Sequence, residues 1–120
     1  MKSKIIALSK SEDFKFLLKG KKISNKYLTI FFSKITNKDN KRLNISFVAK
    51  KKIGNAVKRN KIKRRLRNIM NDAIKDLSLN LDYSYLVIAK ITMLNNEYTK
   101  IKEVLFTDLK RIKWWKFFQK

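Results

Sequence analysis

The sequence predicts a single α+β domain, residues 1–120, in which a small central sheet packs with helices in the order α-β-β-α-β-α. Two observations predict it. Short stretches of strand-like composition alternate with amphipathic helices, and 44% of the 120 residues are hydrophobic. That apolar content suits a folded core rather than a disordered basic tail, and the length suits one core rather than two. With no Pro and only two Gly, the chain has no flexible linker.

The first predicted helix spans residues 10–19. Ser9 and Glu12 have the spacing of a capping box. Phe14 begins the apolar face, and Gly20 predicts the end of the helix.

Two strands follow, at residues 27–35 and 42–49, both rich in aromatic and β-branched residues. The turn cluster 36–41 between them predicts an antiparallel hairpin. Alternation gives the first strand two faces: Leu28, Ile30 and Phe32 on one, and Tyr27, Thr29, Phe31 and Ser33 on the other. In the second strand it separates Leu43, Ile45, Phe47 and Ala49 from Asn44, Ser46 and Val48.

The second helix, residues 55–77, begins at the turn signal Gly54-Asn55. Its apolar residues recur at steps of three and four, which predicts an amphipathic helix. They are Ile62, Leu66, Ile69, Met70, Ala73 and Leu77. Residues 83–90 are predicted to form a third long strand, and a last helix is predicted to begin near the cap candidate Asn96. Its apolar stripe consists of Tyr98, Ile101, Leu105, Leu109 and Ile112.

Positive charge is concentrated in residues 50–67, where ten of eighteen residues are Lys or Arg and none is acidic. Four of the six Arg lie between 59 and 67. Arg has a planar fork of donors that grips phosphate at two points, whereas Lys is a point charge. The helical wheel places polar residues opposite the apolar stripe: Asn60, Arg64, Arg67 and Asn71, flanked by Lys61 and Lys63. This density indicates a polyanionic partner.

The composition excludes several classes of site. The net charge of +22 favours nucleic acid first and an anionic membrane second. Without Cys or His there are no disulfides, no Cys or His zinc sites and no imidazole catalysis. The first ten residues are too short an apolar run for a signal peptide, and no segment approaches the roughly 20 apolar residues of a membrane span. We therefore expect a cytoplasmic protein.

The end of the chain, residues 110–120, interleaves four aromatic with five basic residues. Such a tail stacks on bases, lies on a membrane surface, or covers the end of the core.

The segment 51–67, KKIGNAVKRNKIKRRLR, closely resembles the signature of the bacterial ribonuclease P protein subunit. The resemblance extends to Glu12-Asp13-Phe14, to the two strands before the segment and to residues 86–90 after it. The family fold that it implies is a sandwich with a left-handed strand–helix–strand connection around the basic helix, an exception to the right-handed rule. It also implies a small extra strand near the segment 51–67, which we refer to as the motif.

The resemblance implies a protein that assists a catalytic RNA in removing the 5′ leader from precursor tRNA. The RNA and the substrate would hold Mg²⁺, with no catalytic residue or metal ligand on the protein. The implied partners are the RNA subunit and precursor tRNA, with no membrane and no small-molecule substrate. Implied contacts with the RNA subunit are Lys51, Lys52, Lys58, Arg59, Asn60, Lys61, Lys63, Arg64 and Arg67. The implied leader cleft, between the first helix and the sheet, comprises Phe14, Leu18, Phe31, Ser46, Val48 and Lys90.

Three positions depart from the family pattern. Lys61 stands where a second Arg is usual, Leu18 where an aromatic residue is common, and Ser46 where Gly is frequent. Helical phase points Arg59 toward the apolar side of its helix, so either the first helical turn overhangs the sheet or Arg59 reaches into the cleft. Phe31 either lines the cleft or packs a second core layer against the first helix.

Other functions also fit parts of the sequence. A general RNA-binding or ribosomal-type protein needs only the charge. A protein-only metal nuclease needs convergent carboxylates, and Asp72 and Asp76, four residues apart on a helix, are the candidates if nearby Lys do not pair with them. A DNA-binding helix-turn-helix fits less well, because the basic helix follows a strand rather than a partner helix.

Overall fold

The computed structural model describes residues 5–8, 11–34, 42–77, 79, 81, 83–95 and 97–114. Within these ranges one five-stranded sheet packs with three α-helices, which confirms the predicted α+β class. The strands are β1 (Ile5–Ile6), β2 (Lys21–Ser24), β3 (Leu28–Lys34), β4 (Leu43–Val48) and β5 (Tyr83–Ala89). The helices are α1 (Ser11–Leu18), α2 (Ala56–Leu77) and α3 (Tyr98–Trp114). The cap candidates Ser9 and Asn96, the predicted turn 36–41 and residues 115–120 of the tail lie outside the described residues.

The strand order is β1-β4-β5-β3-β2. β5 is parallel to β4 and antiparallel to β3. β3 and β4 therefore run antiparallel as predicted, but β5 lies between them, so the predicted hairpin pairing is wrong. Four consecutive residues of β5, at 84–87, are buried, so both of its faces are covered, as is typical of a strand in the middle of a sheet. α2 connects β4 to the parallel β5, and the left-handed sense of this connection remains an expectation from the family resemblance.

The predicted order omits β1 and β2, which lie at the two edges of the sheet. β1 has two residues and pairs in parallel with β4, and β2 has four and pairs antiparallel with β3. Strands this short give too little alternation to be recognised in the sequence. Just before the basic helix, Lys51–Ile53 forms a 3₁₀ turn rather than a strand.

The main core lies between the sheet and the helices α2 and α3. The predicted α2 stripe is buried apart from the half-buried Leu77, and α3 adds Ile101, Leu105, Leu109 and Ile112. Tyr27 belongs to this core too, which corrects its predicted face. It precedes β3 in a turn where Asn25 Oδ1 accepts the N–H groups of Tyr27 and Leu28, at 2.8 and 3.0 Å. Strand alternation therefore does not extend to Tyr27.

A smaller layer lies on the other face of the sheet, under α1. Leu8, Leu17 and Leu86 are buried there. The half-buried residues Phe14, Phe31, Val48 and Ile88 pack against them. Phe31 thus belongs to a second core layer against the first helix, and it shares that layer with two other predicted cleft residues.

Candidate nucleic-acid interface

The basic segment enters α2 through a fixed turn. Ile53 is buried and anchors the 3₁₀ turn on the core. Gly54 has a φ of 157°, which L side chains rarely adopt. Asn55 caps α2, because its Oδ1 accepts the backbone N–H of Lys58 at 3.0 Å. This confirms the predicted Gly54-Asn55 turn, which sets where the cations of α2 begin.

One side of α2 faces a groove of about 400 Å³ beside β4, which we refer to as the groove. Its lining comprises Ile5, Ala7, Phe14, Ile45, Ser46, Phe47, Val48, Lys63 and Arg67. Three predicted cleft residues and two predicted motif residues therefore meet in one place. Ile5 and Ala7 are absent from the prediction, since a two-residue strand leaves no periodic signal.

The other side of α2 carries a smaller pocket of about 180 Å³, referred to below as the helix pocket. Its lining comprises Lys58, Lys61, Ile62, Arg65 and Leu94. With 3.6 residues per turn, the three cations of this pocket lie on the opposite side of α2 from Lys63 and Arg67. Arg65 is missing from the predicted contacts, although the clustering of Arg between 59 and 67 is a signal that includes it.

The remaining motif residues differ in exposure. Lys51, Lys52, Asn60 and Arg64 are exposed. Arg59 is half-buried, and its Nε is buried with no hydrogen-bond partner among the described residues. A buried donor without an acceptor costs about 1–3 kcal/mol, so an acceptor on a bound ligand would be favourable there.

The cations of the motif have no internal counter-charge in the described part of the chain, where none of them pairs with a carboxylate. Two ion pairs involve α3 instead. Lys102 Nζ lies 3.0 Å from Asp72 Oδ2, and Arg111 Nη1 lies 3.7 Å from Asp108 Oδ1. The hydrogen bond to Asp72 raises the pKa of Lys102 above its ordinary value of 10.5. The positive charge of residues 50–67 therefore remains available to an external polyanion.

Three predicted cleft residues do not line the groove. Phe31 packs in the layer under α1, and Leu18 is 50% exposed at the end of that helix. Lys90 reaches the turn between β2 and β3, where its Nζ donates to Ser24 Oγ at 2.9 Å and to the backbone oxygen of Asn25 at 2.6 Å. The ammonium group of Lys90 is therefore engaged within the fold.

Within the described ranges, no group of three or more Asp, Glu, His or Cys is placed to hold a metal ion. Asp72, one of the two nuclease candidates, is bound by Lys102 from α3, while Asp76 is exposed. The candidate pair Asp72 and Asp76 therefore belongs to no such group. In the same ranges, no helix combines the length and apolarity needed to span a bilayer.

Known proteins resemble this chain over most of its length. The model of the ribonuclease P family matches residues 3–113. The ribonuclease P protein component of Carboxydothermus hydrogenoformans is 33% identical over 110 residues, which cover 88% of this chain and 90% of that protein. The ribonuclease P protein component of Listeria monocytogenes is 32% identical over 104 residues, covering 86% of this chain and 84% of that protein.

Solved structures share the fold. The ribonuclease P protein from Thermotoga maritima has a TM-score of 0.72 at 25% identity and covers 88% of this chain and 96% of that one. The Staphylococcus aureus ribonuclease P protein has a TM-score of 0.70 at 28% identity and covers 89% of this chain and 94% of that one. Because the family model matches nearly the whole chain and relatives share about a third of its residues, this chain belongs to the ribonuclease P protein family.

Proposed function

We propose that this chain is the protein subunit of ribonuclease P and promotes removal of the 5′ leader from precursor tRNA. The observation that carries the proposal is the groove, where Phe14, Ser46 and Val48 meet the motif cations Lys63 and Arg67. The relatives are ribonuclease P protein components, which makes the RNA subunit the expected partner.

The groove has the two features that hold single-stranded RNA, positive charge and aromatic surface. Phe14 is half-buried, so part of the side chain packs between α1 and the sheet, and part remains accessible to solvent. Lys63 and Arg67, which the family resemblance implies as contacts with the RNA subunit, line the same groove. In this proposal they donate to phosphate oxygens of the leader instead. Stacking and phosphate contacts depend little on base identity. The groove therefore suits a leader whose sequence differs from one precursor tRNA to another.

The opposite side of α2 suits the RNA subunit. Lys58, Lys61 and Arg65 line the helix pocket there, away from the groove. Each cation that neutralises a phosphate releases counterions, which drives binding to a folded RNA. In this arrangement α2 lies between two RNAs and lowers the repulsion between their phosphates.

The RNA and the substrate hold Mg²⁺ in this proposal, and the reaction is metal-assisted phosphodiester hydrolysis. No residue of this chain is assigned a catalytic role. The protein acts by holding the leader and by supplying positive charge, so its effect is expected to be largest when Mg²⁺ is scarce.

The test is cleavage of a precursor tRNA by a bacterial ribonuclease P RNA at low Mg²⁺, with and without this protein. We expect the protein to raise the rate and to cut nothing by itself. Cleavage by the protein alone would overturn the assignment of the chemistry to the RNA and would make Asp72 and Asp76 the candidate catalytic residues. Tight binding to both RNAs without any change in rate would identify a general RNA-binding protein instead.

A further inference from the structure

A third basic concavity, besides the groove and the helix pocket, lies at the end of the sheet farthest from the start of the motif. The C-terminal end of β4 leads into the motif, and β5 runs parallel to β4. Tyr83, the first residue of β5, therefore lies at the opposite end of the sheet from the start of the motif. There, a pocket of about 580 Å³ is lined by Tyr83 together with Lys19, Lys21 and Lys34. We refer to it as the lysine pocket. It shares no residue with the groove or the helix pocket.

The turn after α1 brings two of these lysines to the sheet. The N–H of Gly20 donates to the carbonyl oxygen of Leu17 at 3.0 Å, which closes the helix. A Cβ at Gly20 would lie 3.3 Å from the carbonyl oxygens of both Leu17 and Phe32, so glycine allows a close approach to β3. Lys19 and Lys21, on either side of Gly20, are thereby held beside the end of β3.

Strand pairing adds the third lysine and an aromatic ring. Lys34 is the partner of Tyr83 in the pairing of β3 with β5. Edge-to-face contacts hold the Tyr83 ring, with centroid distances of 5.9 Å to Phe32 and 6.4 Å to Tyr85. Tyr83 is nevertheless only half-buried. A fixed and partly accessible aromatic ring therefore lies among three cations.

The described lining of the lysine pocket supplies no carboxylate to Lys19 and Lys34. None of the described residues that line it is acidic. Neither Lys19 nor Lys34 forms an ion pair with a carboxylate in the described part of the chain. Residues 50–67 hold ten of the 31 basic residues and none of the nine acidic ones, so the rest of the chain still carries a net charge of +12. Lysines gathered in this way repel one another, and a bound polyanion relieves the repulsion.

The residues that line the lysine pocket fit one class of ligand. A positive concavity with an aromatic ring is the arrangement that holds single-stranded nucleic acid. The volume of about 580 Å³ lies within the range of pockets that enclose a small organic ligand, and thus accommodates more than a free phosphate. Lys binds phosphate as a point charge and does not demand a fixed geometry. This suits a flexible single strand, whose phosphates are not held in fixed positions.

We propose that the lysine pocket is a second single-stranded RNA site, which holds the sugar–phosphate backbone of unpaired nucleotides with a base against Tyr83. The proposal rests on the proposed function only in taking RNA as the ligand. α1 links the two sites, because Phe14 lines the groove and Lys19 follows the end of the same helix. From Phe14 to the last helical residue, Leu18, α1 rises by about 6 Å, so one RNA strand that follows α1 reaches both sites.

The test measures binding of the full chain to a fluorescent uridine oligonucleotide of about twelve nucleotides, over a series of salt concentrations. The variant Lys19→Ala/Lys34→Ala removes two cations of the lysine pocket. The matched control, Lys100→Ala/Lys110→Ala, removes two exposed lysines of α3. We expect the slope of log K against log salt to fall by about 1.4 for the pocket variant, about 0.7 for each phosphate that is no longer neutralised. Equal slopes for pocket variant and control would overturn the proposal.

A second measurement locates the strand directly. A 4-thiouridine oligonucleotide is photo-crosslinked to the wild-type chain, and the linked peptides are identified by mass spectrometry. Crosslinks to the peptide that contains Tyr83 would support the second site, whereas crosslinks confined to groove residues would overturn it. If the chain stimulates precursor cleavage while the pocket variant matches its control, only the second site is refuted. If the chain neither binds the oligonucleotide nor stimulates cleavage, the proposed function is refuted as well.

Discussion

The backbone N–H of Leu8 donates a 2.9 Å hydrogen bond to Oγ of Ser46, across 38 residues of sequence. β1 pairs with β4 only at Leu43 and Asn44. The bond to Ser46 therefore extends the attachment of the N-terminal segment along β4, as far as the residues that line the groove. The family resemblance implies that Gly is frequent at the position of Ser46, and the Ser46 hydroxyl supplies a link that a glycine has no side chain to make.

Replacing Ser46 with Ala should lower the free energy of unfolding by about 1 kcal/mol, because the Leu8 N–H loses its acceptor. Urea denaturation of the two proteins measures the difference. Ser33→Ala is the matched control, since Ser33 is also half-buried in a strand and makes no described side-chain hydrogen bond. If both variants lose the same stability, the Leu8 bond contributes nothing to the fold.

Which residues of α2 face the core could be predicted, because the helical repeat of apolar residues is a local property of the sequence. The stripe from Ile62 to Ala73 is buried as its spacing indicates. The same phase puts Lys63 and Arg67 on one side of the helix and Lys61 and Arg65 on the other. Which side faces β4 depends on how the helix packs on the sheet, and no local pattern carries that information.

The order of the strands could not be predicted for a related reason. β4 and β5 pair although a 22-residue helix separates them in sequence, and such pairing leaves no signal in either strand. The strand that follows β3 in the chain is the partner that the sequence alone predicts for it. Lys90 illustrates the same limit at the site. The resemblance places it in the cleft, but Ser24 Oγ and the Asn25 carbonyl oxygen, far away in sequence, accept from its ammonium group.

Replacing Phe14 with Ala should weaken binding of a single-stranded leader by about 1–3 kcal/mol, because the groove loses its stacking surface. Phe16 offers the matched control: it lies on the same helix, is 53% exposed and does not line the groove. Affinities for precursor tRNA with a leader and for mature tRNA without one isolate the leader contribution. Equal effects of Phe14→Ala and Phe16→Ala would show that the leader does not lie in the groove.

Two double variants should separate the two sides of α2 that we propose bind different RNAs. Lys63→Ala/Arg67→Ala should weaken leader binding more than binding of the RNA subunit, because both side chains line the groove. Lys61→Ala/Arg65→Ala should do the reverse, because these side chains line the helix pocket. Each variant removes one Lys and one Arg, so the loss of net charge is matched.

The measurement is the affinity of each double variant for the isolated RNA subunit and for a leader oligonucleotide, over a range of salt concentrations. On a duplex region the salt slope should fall by about 0.9 for each phosphate that the variant leaves without its cation. The same slopes for both variants on both ligands would mean that α2 presents one undivided basic surface, and the proposal of two sides would have to be abandoned.

Stability should fall at alkaline pH, and Tyr85 should account for part of the loss. Burial raises the pKa of the Tyr85 phenol above its ordinary value of 10.0, and nearby Tyr83 adds to this effect. Above that value the unfolded chain releases the phenol proton while the folded chain keeps it, so stability decreases as pH rises. Lys102 acts in the same direction. Asp72 raises its pKa, so its contribution is complete below 10.5 and is lost as pH rises through the folded value.

Tyr85→Phe keeps the buried ring and removes the ionising group. The free energy of unfolding, compared between about pH 7 and about pH 11, should therefore decrease less in the variant than in the wild type, by about 1 kcal/mol. The Lys102 contribution is present in both proteins and cancels in this comparison. If the two proteins lost the same stability, the phenol of Tyr85 would have to ionise as readily inside the core as in the unfolded chain. Its burial beside Tyr83 and its strand partner Phe32 argues against this.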